Sequence, residues 1–152
     1  MVSGHAWQPQ MAVKSFPVVV PKAARDWLYK MRSGRFRPSE RLKSRTDFSQ
    51  VFDNPEKLSG KPLLILWKPG KAGCARLGVI ASKRVSRLAV SRNRIRRVIR
   101  DSFRHAKETL GQLDIIIIAR HPCAGLSKSE LRKETDILWQ RLQRRLRKSS
   151  LS

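Results

Sequence analysis

The sequence predicts an α+β (α/β) fold, a two-layer sandwich in which one small mixed sheet is packed by helices in the order α-β-β-β-α-β-α. Three observations predict it. Helical and strand periods alternate along residues 35 to 152, and a strand-helix-strand unit from Arg76 to Ala119 implies two parallel strands joined by a long crossing helix. Hydrophobic residues make up 40% of the chain, enough for one core in a protein of 152 residues.

The elements follow in order. Ser44-Arg45-Thr46-Asp47 is a capping box, and Phe48, Val51 and Phe52 then share one helical face until Asp53-Asn54-Pro55 ends the helix. Lys57 to Gly60 is a candidate edge strand. Lys61 to Trp67 reads as a buried strand, Pro69-Gly70 and Gly73 mark a turn, and Arg76 to Ser82 reads as a further strand. These last two strands are expected to form a hairpin. A long helix from Ala89 to Leu110 ends at Gly111, the strand Asp114 to Ala119 follows, and His121-Pro122 closes it. A second capping box, Ser127 to Glu130, opens the final helix, where Leu131, Leu138, Trp139, Leu142 and Leu146 keep helical spacing. The free face of the sheet is expected to stay partly open.

Residues 1 to 34 have no sustained period and carry Pro9, Pro17 and Pro21, so they read as a loosely ordered extension to a domain spanning 35 to 152. Met31, just ahead of the change in composition, marks an alternative start. No apolar run approaches membrane-spanning length, and no signal-peptide pattern is present, which makes the cytoplasm the expected location and a membrane an unexpected partner. Cys74 and Cys123 are too few for a disulfide framework, and the His121/Cys123 pair has no further metal ligands beside it.

Charge points to the partner. The 34 Lys and Arg against 11 Asp and Glu give +23, of which +19 falls on residues 35 to 152. So large an excess opposes compaction until a polyanion neutralises it. Nine basic residues, Lys83, Arg84, Arg87, Arg92, Arg94, Arg96, Arg97, Arg100 and Arg104, face the single acid Asp101 in one window. At about 100° per residue, Ile95, Val98, Ile99, Phe103 and Ala106 form one apolar arc, and arginines take most of the remaining surface. A solvated helix face usually mixes Glu with Lys at i, i+4 spacing. Here Arg92, Arg96, Arg100 and Arg104 repel one another at that spacing, a cost that a phosphate backbone reverses. The preference for Arg favours bidentate phosphate and base-edge contacts, and Asn93 adds a donor and an acceptor among them.

DNA-reading helices usually belong to all-helical units or zinc fingers, so a helix braced on a parallel sheet points to RNA and not DNA. Phe48 and Phe52, close in sequence to Arg35, Arg37, Arg41, Lys43 and Arg45, can stack unpaired bases or serve as ordinary core; periodicity leaves both open. Catalytic machinery is missing. The ten acids of residues 35 to 152 fall mostly at helix starts, and the three histidines stand far apart, so neither a two-metal site nor paired acid-base chemistry is in view.

The run Leu77-Gly78-Val79-Ile80-Ala81-Ser82-Lys83-Arg84, followed by Ala89 to Arg104 with Arg92-Asn93-Arg94 at its centre, closely resembles the bacterial ribonuclease P protein component. The resemblance extends from about Arg35 to the last helix and leaves residues 1 to 34 without a counterpart. It implies a ribosomal-protein-S5-like fold with a left-handed crossover, against the usual right-handed rule. It implies a subunit that joins a catalytic RNA to remove 5′ leaders from precursor tRNA, with Mg²⁺ acting on the RNA, no protein-bound cofactor and no catalytic residue in the protein. By similarity, Lys83, Arg84, Arg92, Asn93, Arg94 and Arg97 contact the catalytic RNA. Phe48, Phe52, Leu66, Arg96 and Arg100 line the cleft for the leader of the precursor tRNA. The family often carries an aromatic where this chain has Leu66, with Trp67 next to it. The alternative readings are a non-enzymatic ribosomal or RNA-assembly protein and, further off, a DNA-packaging protein.

Overall fold

The structure, a computed structural model, describes residues 36–151. The expected extension at residues 1 to 34 and the alternative start at Met31 lie outside the described residues. A short 3-10 turn, Pro38–Glu40, precedes α1 (Arg45–Phe52), β1 (Glu56–Ser59), β2 (Leu63–Pro69), β3 (Arg76–Ile80), α2 (Ala89–Leu110), β4 (Leu113–Ala119), a second 3-10 turn (His121–Gly125) and α3 (Lys128–Ser150). The sheet order is β1-β2-β4-β3. β1 and β2 are antiparallel, as are β2 and β4 from Leu63↔Ala119 to Pro69↔Leu113, whereas β3 and β4 run parallel from Arg76↔Asp114 to Ile80↔Ile118.

The parallel pair joined by α2 is as expected, but the hairpin between β2 and β3 is not formed. β4 lies between those strands and β2 pairs instead with β1. The cause is apolar content on both faces. Ile115, Ile116 and Ile117 are all fully buried, which suits a strand with neighbours and cover on every side, while β3 carries Arg76 and Gly78 on one of its faces and takes the outer place.

Local chemistry sets the ends. The Asp47 N–H donates to Ser44 Oγ at 3.0 Å and the Ser44 N–H to Asp47 Oδ2 at 3.3 Å, so both halves of the first capping box are made. Asn54, with φ 55°, turns the chain after α1. Gly111, with φ 68°, ends α2 in a conformation that a Cβ would strain. Ser127 and Glu130 cap α3 in the same reciprocal way.

The core is unequal on the two faces of the sheet. On one face Leu63, Ile65, Trp67, Ile115 and Ile117 pack with Ile95, Ile99 and Phe103 of α2 and Leu131, Leu138 and Leu142 of α3. On the other, Leu66 and Ile116 meet Val51 of α1 and Leu42, while Phe48, Leu64, Ile80 and Ile118 are only half-buried. Of the largest fully buried side chains, Ile116 alone belongs to this second face. With each such side chain stabilising by roughly 1.5–3 kcal/mol, the fold is held by the α2/α3 side, and the α1 side is free to serve something else.

Ties between elements complete the frame. Asp101 accepts from Arg132, Ser102 Oγ donates to Asp136, and Trp139 Nε1 donates to Ser102 Oγ at 3.0 Å, which locks α2 to α3. The segment before α1 runs along the outer edge of β3, where the Leu42 N–H donates to Leu77 O at 3.1 Å. Phe36 meets Phe103 edge to face at 5.6 Å, and Lys107 Nζ pairs with Glu40 Oε1 at 2.7 Å.

Candidate RNA interface

α2 presents its arginines because its other face is spent on the core. Ile95, Val98, Ile99, Phe103 and Ala106 are buried, the arc that helical periodicity defines. Asn93, Arg94 and Arg97 are exposed, and Arg92, Arg96, Arg100 and Arg104 are half-buried at the margins. Lys83 and Arg84 stand exposed in the approach to α2, which buried Val85 pins through its N–H bond to Ser82 O at 3.1 Å.

Arg96 reaches toward the end of β3, and Arg100 lies near Arg96. Arg96 Nη2 donates to Ala81 O at 3.1 Å, just beyond the end of β3, and its Nη1 donates to Asn93 Oδ1 at 3.3 Å. Arg100 has its pKa lowered by burial first, then by the nearby charges of Arg41 and Arg96. Arg41 itself lies over the Phe36 ring at 4.9 Å. Three guanidinium groups thus hold one another at a cost that an inserted anion would relieve. A guanidinium stays charged throughout, so the group is a fixed cationic site.

Across the outer face of α2, Arg94, Arg97, Arg100, Arg104, Lys128 and Arg132 line a groove of about 1060 Å³ in which Asp101 is the one acid. Arg104 Nε is buried without a hydrogen-bond partner. Arg94 Nη2 reaches Leu126 O at 3.3 Å, tying the groove to the start of α3. Sequence reasoning did not find the contributions of Lys128 and Arg132, and placed Arg41 only beside Phe48 and Phe52, because only the fold brings these residues to α2.

The remaining candidates gather on the α1 face of the sheet. The Phe48 ring sits directly on β3 at Gly78, where a Cβ would stand 2.8 Å from both Phe48 Cε1 and Cζ. Phe52, 46% exposed, is one turn further along α1, and Leu66, 4% exposed, lies in the sheet on the same face. Trp67 is in the other core at 2% exposure, under Arg145 at 5.5 Å, so it offers no ring to this face. β2 therefore supplies an aliphatic floor at Leu66. Phe48 packs on β3 at Gly78 from the α1 side, while Arg100 lies near Arg41, whose segment bridges to Leu77 of β3, and lines the α2 groove.

Arg76 fixes α1 over this face. Its Nε and Nη2 donate to Asp114 Oδ1 and Oδ2, both at 2.7 Å, and its Nη1 donates to Asp47 Oδ1 at 3.2 Å. The Asp114 hydrogen bonds, with the charges of Asp114 and Asp47, hold the Arg76 pKa above its already high value against burial, which lowers it. Glu40 both accepts from the Arg37 N–H at 2.9 Å, capping the first 3-10 turn, and pairs with Lys107, whereas Asp114 lies in β4 and serves a buried ion pair, unlike the acids expected at helix starts.

Fold and site together define a small basic α+β protein with an arginine-lined helix beside a partly open sheet face. The ribonuclease P family profile matches residues 36–143. The ribonuclease P protein component of Pseudomonas aeruginosa is 43% identical over 115 residues, covering 75% of this chain and 85% of that protein, and that of Chromohalobacter salexigens is 37% identical over 114 residues, covering 74% and 89%. The RNase P protein of Staphylococcus aureus superposes with a TM-score of 0.63 at 26% identity, covering 66% of this chain and 93% of that one. The Thermotoga maritima protein gives 0.60 at 25% identity, covering 67% and 96%. The chain belongs to the ribonuclease P protein family.

Proposed function

We propose that the chain acts as the protein subunit of ribonuclease P in the maturation of tRNA 5′ ends, gripping the single-stranded leader of precursor tRNA while an RNA subunit carries the phosphodiester chemistry. Family membership supports this reading over a ribosomal or DNA-packaging role. The observation that carries the division of labour is the pairing of an arginine helix with a shallow apolar face across β3. Arg92, Asn93, Arg94 and Arg97, with Lys83 and Arg84, hold phosphates of the catalytic RNA. Phe48 and Phe52 stack unpaired leader bases over the floor at Leu66, and Arg96 and Arg100 meet the leader backbone.

Mg²⁺ acts with the RNA subunit in this reading. Among the described residues no three of His, Cys, Asp and Glu are grouped to hold an ion, and Glu40, Asp47, Asp101 and Asp114 are each engaged by a lysine or arginine of the chain itself. The cytoplasm, where precursor tRNA is processed in bacteria, is the site of action in the same reading.

The test compares ligands. In the holoenzyme, Phe48→Ala is expected to weaken precursor tRNA by about 5- to 160-fold, the equivalent of one lost base stack of 1–3 kcal/mol, and to leave mature tRNA unchanged. Equal losses for both ligands would make Phe48 a core residue and remove the leader site.

A further inference from the structure

A second cluster of arginines lies at the opposite edge of the sheet, on β1. Arg120 Nη1 donates to Ser59 Oγ at 3.2 Å and to Gly60 O at 3.3 Å. Arg141 Nη1 donates to Ser59 O at 3.4 Å, and Arg145 Nη1 to Lys57 O at 3.1 Å. The two α3 arginines fit this edge because a four-residue helical step of about 6 Å matches the two-residue strand step of about 6.6 Å between outward carbonyls. Three guanidinium groups are thereby set around one four-residue strand. The acid paired with them is Glu56, 3.8 Å from Arg145 Nε with both side chains more than half exposed, a contact that offsets little.

We propose that Arg120, Arg141 and Arg145 form a binding site for an RNA backbone phosphate. Each guanidinium carries five N–H donors and spends only part of them on β1, so the strand carbonyls orient the groups and leave donors for a ligand. Helix-end electrostatics accounts for Arg147 and Lys148, which stand in the last turn of α3, but not for Arg120 or Arg141. Trp67, the ring beneath Arg145, is buried and offers no stacking surface, so recognition is of phosphate and not of base. The site is separate from the arginine helix. Three inter-strand gaps place β1 about 14 Å from β3, the strand whose end Arg96 reaches.

The inference rests on the ribonuclease P reading, and two RNAs can supply the phosphate: a distal nucleotide of the leader after it crosses the α1 face, or the catalytic RNA. Binding of the full chain to catalytic RNA, and of holoenzyme to precursor tRNA with short and long leaders, is measured across a salt series for Arg120→Gln and Arg141→Gln. Each change is expected to lower the log-log salt slope by about 0.7–0.9 in one arm, and Arg120→Lys and Arg141→Lys to restore it. A loss confined to long leaders assigns the leader; a loss with catalytic RNA assigns that subunit. An unchanged slope in every arm, with a lowered melting temperature, would overturn the proposal and leave the arginines as caps on an exposed strand edge. Arg141→Gln bares Ser59 O and Arg120→Gln bares Gly60 O, so the two lysine variants, which keep a donor and the charge, control for the lost edge bonds. Failure of the wild-type chain to bind catalytic RNA would instead sink the functional reading, so the two failures are distinguishable.

Discussion

Gly78→Ala tests how the leader face is built. The added Cβ would lie 2.8 Å from Phe48 Cε1 and Cζ and 3.4 Å from Leu42 Cβ. Neither neighbour yields easily. Phe48 is anchored in α1, which Arg76 ties to β4 through Asp47 and Asp114, and Leu42 is bonded to β3 by its own N–H. Overpacking of this kind costs about 1–3 kcal/mol. At about 3–6 °C per kcal/mol for a domain of this size, the melting temperature falls by roughly 3–18 °C, read by circular dichroism. The ring also leaves its seat, so precursor tRNA binding falls within the same range of about 5- to 160-fold that one base stack spans, while catalytic RNA binding is kept. Adding Phe48→Leu to Gly78→Ala shortens the side chain and is expected to recover stability but not precursor affinity. Wild-type melting and wild-type precursor affinity in Gly78→Ala would refute the argument by showing that the ring moves aside at no cost.

The other expectations concern separate parts of the molecule. Arg97→Ala, at an exposed position of α2, is expected to lower the salt slope for catalytic RNA by about 0.7–0.9 with an unchanged melting temperature; an unaltered slope would turn that face toward solvent. The Asp47 carboxyl is held below its ordinary value of 3.8, first by the Ser44 hydroxyl, with burial opposing and the Ser44 N–H and Arg76 assisting. A lowered carboxyl contributes stability above its unfolded pKa and loses it as pH falls through the folded value, so this contribution starts to fall near pH 4 and is gone only below the folded value. Ser44→Ala is therefore expected to cost about 1 kcal/mol at pH 7 and less at pH 3, compared by urea midpoints; an equal deficit at both would assign the effect to the cap alone. Cys123 is buried, its pKa is raised by burial, and its Sγ donates to Pro62 O at 2.9 Å, whereas Cys74 is half-buried. A maleimide is expected to label Cys74 in the native protein and both thiols in denaturant, and rapid native labelling of Cys123 would contradict its packing.

Element types were legible in the sequence because each end carries local chemistry: Ser44 and Ser127 with their acids three residues on, Asn54-Pro55, and Gly111. Strand order was not. Pro69-Gly70 and Gly73 look like a hairpin turn, yet a turn says only that the chain reverses, and the choice of partner is made by non-local apolar area. The usable signal was the four isoleucines from Ile115 to Ile118, apolar on both faces and thus suited to the centre. The arginine helix was legible down to its buried arc, since helical period alone separates its faces. What supports the leader face was not, because Arg76 meets Asp47 and Asp114 from 29 and 38 residues away. Gly78 read as a glycine within a strand, and only the position of α1 explains why no larger residue fits there.

The most direct test of the account is single-turnover cleavage of precursor tRNA by the RNA subunit across a Mg²⁺ series, with and without the full chain. Phosphate repulsion is least screened at low Mg²⁺, so the arginine helix and the leader face are expected to matter most there. The prediction is that the chain restores cleavage at low Mg²⁺ and that its effect shrinks as Mg²⁺ rises. Equal cleavage with and without the chain at every Mg²⁺ concentration would contradict the account.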